Sequence, residues 1–118
     1  MHMNTSLHRQ LLGFWKLHQL DTRFDEEVRS ETVLGGMAAF DEKHVVYFSR
    51  TNEVAMGFAA DYRLEGRRIL LQCEAATFPD LEKELLVREI ESVTGQELWL
   101  TGVEIGTHRQ VRLGFRRL

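Results

Sequence analysis

The chain has 118 residues, a net charge of −3 and 43% hydrophobic residues. That length suits one domain over residues 1–118 with a proper core, and the acidic balance argues against a phosphate-binding surface, since nucleic-acid modules carry a basic excess. A single cysteine, Cys73, excludes an intrachain disulfide, and no run approaches the ~20 apolar residues of a membrane span.

The first residues lack a basic start followed by a long apolar run, so no secretory signal is visible and a cytoplasmic location is expected. Asn4 to Leu12 suits a short helix, with Asn4, Thr5 or Ser6 as cap. Gly13 lets the chain turn sharply out of it. Phe14 to Thr22 then alternates, with Trp15, Leu17 and Gln19 on one face and Phe14, Lys16 and His18 on the other. Phe24 to Leu34 is polar and partly β-branched, which fits a wet or edge strand, and Gly35–Gly36 is a turn signal. Met37 to Phe40 and His44 to Arg50 form a hairpin around residues 41–43. Val54 to Leu64 and Arg68 to Thr77 form the clearest hairpin, closing through Glu65–Gly66. Val103 to Ile105 and Gln110 to Arg117 face each other across Gly106–Thr107.

Pro79 to Val93 admits two readings. It is rich in helix formers, and Leu81, Leu85, Leu86, Ile90 and Val93 fit a helical stripe. The alternative is a loop through Lys83 and a strand from Glu84 to Val93, turning at residues 94–96 into Leu98 to Thr101.

Three stretches resemble the bacterial lipocalin-like domain family, a branch of the calycin-type small barrels. Leu12-Gly13-Phe14-Trp15-Lys16-Leu17 is similar to the family's opening strand with its Gly-x-Trp. Gly57 to Pro79 is similar to its Tyr-bearing strand, Gly turn, alternating strand and closing Phe-Pro. Val87-Arg88, followed by a strand, a turn and Leu98 and Leu100, is similar to a later hairpin. The chain departs from the pattern at Glu42-Lys43, where the family often has Asp-Gly, and in a weaker β-former before Leu98. The resemblance covers Leu11 to Arg117 and favours the strand over the helix in residues 84–93. It implies an all-β fold: an antiparallel up-and-down lipocalin-like β-barrel of about eight to ten strands, with a short N-terminal helix and an internal cavity.

Barrel side chains alternate in and out. Phased on Trp15, Leu17 and Gln19 point inward. In the central hairpin the inward set is Phe58, Ala60, Tyr62 and Leu64, facing Ile69, Leu71, Cys73 and Ala75. Arg88 shares a face with Leu86 and Ile90; Val111, Leu113, Phe115 and Arg117 share another. Gln19, Phe58, Tyr62, Leu71, Cys73 and Arg88 are therefore the candidate ligand-binding residues. Each polar one also has a structural use. Arg88 either anchors a carboxylate or enolate, or pairs with Asp61, Glu74 or Glu89. Tyr62 donates its hydroxyl to a ligand or to backbone. Gln19 orients a ligand or sits at a rim, and Cys73 reads as an inert core thiol. The resemblance gives Arg117 a structural role, packed over the Trp15 ring.

Three functions compete. One is a binding module for a small apolar or amphipathic molecule. The second is a cyclase or isomerase of secondary metabolism acting on a polyketide-like or unsaturated substrate, with Tyr62 and Arg88 stabilising an enolate. The third is a packed barrel with a structural role. His8, His18, His44 and His108 form no metal-ligand spacing, so no metal and no cofactor are expected. Neither nucleic acid nor membrane is expected as a partner, and a homodimer is left open.

Overall fold

The computed structural model describes residues 2–78, 85–103 and 109–118, with side chains from Ser6 onward. A helix, α1 (His2–Leu11), precedes strands β1 (Gly13–Phe24), β2 (Glu27–Glu31), β3 (Val33–Phe40), β4 (His44–Thr51), β5 (Ala55–Glu65), β6 (Arg68–Ala76), β7 (Leu85–Val93), β8 (Glu97–Val103) and β9 (Gln110–Arg117). Every pairing is antiparallel, in the order β2-β1-β3-β4-β5-β6-β7-β8-β9, and β1 also pairs with β9. That last pairing closes an eight-stranded barrel and leaves β2 as an edge strand along the upper half of β1. The fold is the all-β barrel with one short N-terminal helix that the resemblance implies.

The alternating strands form where expected. β5 and β6 turn through Gly66, whose φ of 64° suits glycine. Residues 85–93 are strand, not helix. Their helix propensity is overridden because β6 and β8 supply ladder partners on both sides. Pro79 to Glu84 and Glu104 to His108 lie outside the described residues, so the Phe-Pro closure and the Gly106–Thr107 turn do too.

Gly35–Gly36 is not a turn. Both lie within β3, which begins at Val33. Gly36 is needed for close approach, since a Cβ there would lie 2.9 Å from Leu17 Cδ2 and 3.1 Å from the Phe48 carbonyl oxygen.

Bulges at His18 in β1, Leu34 in β3, Glu74 in β6 and Glu91 in β7 interrupt the ladders. Each adds one residue to one strand and reverses the facing beyond it. Beyond His18, Leu20 pairs with Leu113 and Gln19 with Gly114. Leu20 therefore packs against the core, and Gln19 turns outward and donates to Asp21 Oδ2 at 2.9 Å. Beyond Glu74, Ala76 packs against the core and Ala75 is exposed. The inward placements expected for Gln19 and Ala75 are corrected accordingly.

One end of the barrel is shut. Trp15 is fully buried there, donating through Nε1 to the Leu11 carbonyl at 2.8 Å. The Arg117 guanidinium lies 4.0 Å from the Trp15 ring centroid and donates to the carbonyls of Gln10, Leu12 and Gly95. It thereby joins the last turn of α1, the β7–β8 turn and the end of the chain. Gly13 has φ of 116°, and a Cβ there would lie 3.0 Å from Arg117 Nη1.

Candidate functional site

At the other end the strands enclose a cavity of about 400 Å³. That volume falls within the range of small-molecule sites. Its deep part is apolar, formed by Ala38, Phe40, Val45, Leu71, Leu100 and Phe115. The ladder orders the levels above. In β4 every second residue is buried, so Val45, Tyr47, Ser49 and Thr51 climb one inner wall towards the β4–β5 turn. Glu53, Val54, Phe78 and Arg109 also line the cavity there, and the exposure of Val54 and Phe78 marks the mouth.

The polar groups stand in the upper half. Tyr47 leans on Phe58, with ring centroids 5.3 Å apart, and meets Phe115 edge-on. Burial holds the Tyr47 phenol above its ordinary range, while the neighbouring Ser49 hydroxyl and the Arg88 charge pull the other way. Tyr47 is thus a neutral donor in a largely apolar chamber. Thr51 is engaged locally: its hydroxyl accepts from the amides of Glu53 and Val54 and orders the turn.

Arg88 enters from β7. Its Nη1 donates to the Val87 carbonyl at 3.1 Å and the Val103 carbonyl at 3.5 Å. The guanidinium occupies space left by Gly102 across the ladder, where a Cβ would lie 2.5 Å from Nη1. On the outer face Asp61 meets His44 at 3.2 Å and Glu89 meets Arg68 at 3.5 Å.

Phe58, Leu71 and Arg88 line this cavity; Gln19, Tyr62 and Cys73 do not. Tyr62 points inward as expected but at the shut end. Its hydroxyl donates to the Asp41 carbonyl at 2.6 Å and lies 2.9 Å from His8 Nε2 on α1. Burial first, then the charges of Asp41 and Glu42, push its phenol up to about 12. Cys73 is buried in the core one ladder step from that level. Tyr62 thus links α1 to the β3–β4 turn, the backbone role that was its alternative.

Tyr47 and Ser49 are among the polar lining residues that the sequence reading missed, with Thr22, Glu31, Thr51, Glu53 and Arg109. The signal for Tyr47 and Ser49 is present in His44 to Thr51, whose strict alternation puts Val45, Tyr47, Ser49 and Thr51 on one face.

A broader depression of about 820 Å³ lies outside the barrel, over β1, β2 and β7 to β9. It is lined mainly by outward side chains such as Asp21, Arg23, Glu89, Thr101 and Arg112. Among the described residues no three His, Cys, Asp or Glu side chains converge as metal ligands. No described helix is long and apolar enough to cross a membrane.

No family model and no curated protein matches the chain. Among solved structures it is similar to an uncharacterized protein from Bacteroides eggerthii DSM 20697, with 13% identity and a TM-score of 0.55. The similarity covers 91% of this chain and 98% of that one. At that identity the likeness speaks for the fold alone.

Proposed function

We propose that this protein binds one small amphipathic molecule inside the barrel. The observation that carries the reading is the cavity of about 400 Å³, apolar in depth and polar towards its mouth. A barrel packed solid by its own side chains would leave no such space. The closed eight-stranded barrel is consistent with a calycin-like architecture, and the resemblance to bacterial lipocalin-like domains agrees with a binding role. Phe58, Leu71 and Arg88 remain as binding residues from the sequence reading; Tyr47 and Ser49 join them.

The test is displacement of the neutral fluorescent probe N-phenyl-1-naphthylamine by a panel of organic molecules, with melting followed in parallel. A ligand present at a hundredfold over its dissociation constant raises stability by about 2.7 kcal/mol. Ala38 is buried and lines the deep part of the cavity, so Ala38→Leu fills part of it. The variant is expected to fold and to lose the probe. Probe binding undiminished in Ala38→Leu, or absent from the unmodified protein, refutes the reading.

A second reading, a cyclase or isomerase, draws on one specific observation. A neutral phenol and a guanidinium line the same cavity, and that pair suits an oxyanion that develops during enolisation. Tyr47→Phe separates the two functions: loss of turnover with retained binding marks the enzyme.

A further inference from the structure

We infer that the cavity takes a compact amphiphile with a single anionic oxygen head, seated tail first, its head against Arg88, Tyr47 and Ser49. The inference rests on the binding reading above and adds the chemical class and the orientation of the ligand.

The class follows from which groups share the chamber. Arg88 brings a permanent positive charge to a lining otherwise dominated by apolar side chains. It is placed there by a backbone feature, because the side chain lies where any residue larger than Gly102 would collide with it. Tyr47 and Ser49 add hydroxyl donors on the facing wall, and the Tyr47 phenol is close enough to Arg88 to feel its charge. A carboxylate is the acceptor that a guanidinium fork and phenolic and alcoholic donors serve together. A cationic head would meet Arg88 with like charge, and a neutral head would forgo the charge-assisted bond.

The orientation follows from the strand ladder. Val45 pairs with Ala60 at a deep level, Tyr47 with Phe58 above it, and Ser49 with Met56 above that. Below the Tyr47 level lie Phe40, Val45 and Phe115, and Ala38 pairs with Tyr47 itself; none of them offers a side-chain charge or a further hydroxyl. A second charge at the far end of a ligand would be buried among them unpaired, which is strongly unfavourable. At the mouth Glu31 and Glu53 stand with Arg109, so charges of both signs line the entrance.

The experiment compares three straight-chain compounds of equal length by displacement of N-phenyl-1-naphthylamine: a monocarboxylate, the corresponding primary alcohol and the α,ω-dicarboxylate. The monocarboxylate is expected to bind about tenfold more tightly than the alcohol, as one charge-assisted contact suggests. It should exceed the dicarboxylate by about as much. Arg88→Met should bring acid and alcohol to equal affinity, and Tyr47→Phe should narrow the gap. Equal binding of acid and alcohol by the unmodified protein overturns the head-group assignment and leaves the binding reading standing. Equal binding of mono- and dicarboxylate overturns the orientation. If none of the three displaces a probe that does bind, the amphiphile class is wrong; if the probe itself does not bind, the underlying reading fails as well. The comparison in unmodified protein needs no variant to fold.

Discussion

Trp15 is held from several directions: its ring is buried, its Nε1 bonds to Leu11, and Arg117 covers one face. Trp15→Ala should lower unfolding free energy by about 3–5 kcal/mol in urea titration. Tyr62 makes a different prediction. Its hydroxyl joins the Asp41 carbonyl and His8 at the shut end, so Tyr62→Phe should cost about 1 kcal/mol and leave probe binding unchanged. The phenol is pushed from 10.0 up to about 12. A group with a raised folded pKa contributes stability that is fully present below its unfolded value. That contribution is therefore lost as pH rises from about 10 through about 12. The chain has two tyrosines, and Tyr47 is shifted upward too. Alkaline titration of tyrosinate absorbance should show no ionisation at the ordinary value while the protein is folded, and Tyr62→Phe should remove one late step.

At the scale of elements, the β1 bulge decides what the strand presents to the cavity. Deleting His18 would remove the extra residue, so that Leu17, Gln19 and Leu20 alternate in, out and in and keep their pairing with Phe115, Gly114 and Leu113. The deletion is expected to leave cooperative unfolding by circular dichroism in place. Inserting one glycine after Gly95, where a Cβ would meet nothing within 4 Å, should be tolerated. The β3–β4 turn carries an acid-sensitive contact. Asp41 Oδ1 accepts from the amides of Lys43 and His44, and these two bonds, more than the His44 ring, hold its carboxyl below 3.8. With a depressed folded pKa, the contribution is present above 3.8 and lost as pH falls through the lower folded value. The Lys43 and His44 amide resonances should move together with that titration, and Asp41→Asn should flatten both curves. In the site itself, Phe58, Leu71 and Arg88 were legible because β5, β6 and β7 keep their alternation across those positions. Gln19 was misplaced because a bulge leaves no local mark in Lys16-Leu17-His18-Gln19. Tyr47 and Ser49 were legible in the β4 pattern, which needed only to be phased like its neighbour β5.

For the whole molecule, closure depends on the chain's two ends meeting. Arg117 donates to Gln10, Leu12 and Gly95 from one guanidinium and stacks on Trp15. Arg117→Lys keeps the charge and loses the planar fork, and it should cost about 2 kcal/mol by urea titration. Faster amide hydrogen exchange at both Leu12 and Gln96 would place that loss at the joint between α1 and the β7–β8 turn. Outside the barrel, Glu91 and Arg112 pair at 2.6 Å across β8, and Arg112 stacks 4.0 Å over the outward ring of Trp99. Both members of the ion pair are well exposed, so Glu91→Gln should change stability by no more than about 1 kcal/mol. The two arginine–tryptophan stacks look alike, and burial and partner number set them apart.

The sequence by itself determined the alternating strands, the turn at Glu65–Gly66 and the short helix, because period-two alternation and turn chemistry are local properties of consecutive residues; the Trp15–Arg117 joint was implied by the resemblance. Only the tertiary structure decided the choice between helix and strand at residues 85–93, because the missing ladder partners are supplied by β6 and β8. It also decided which inward residues meet the cavity. Tyr47 and Tyr62 both face inward from alternating strands, yet one lines the chamber and the other fastens the shut end. Alternation tells which side of the sheet a residue faces. Its depth along the barrel is set by the stagger of eight paired strands, by bulges that reverse the facing, and by the end that α1 covers.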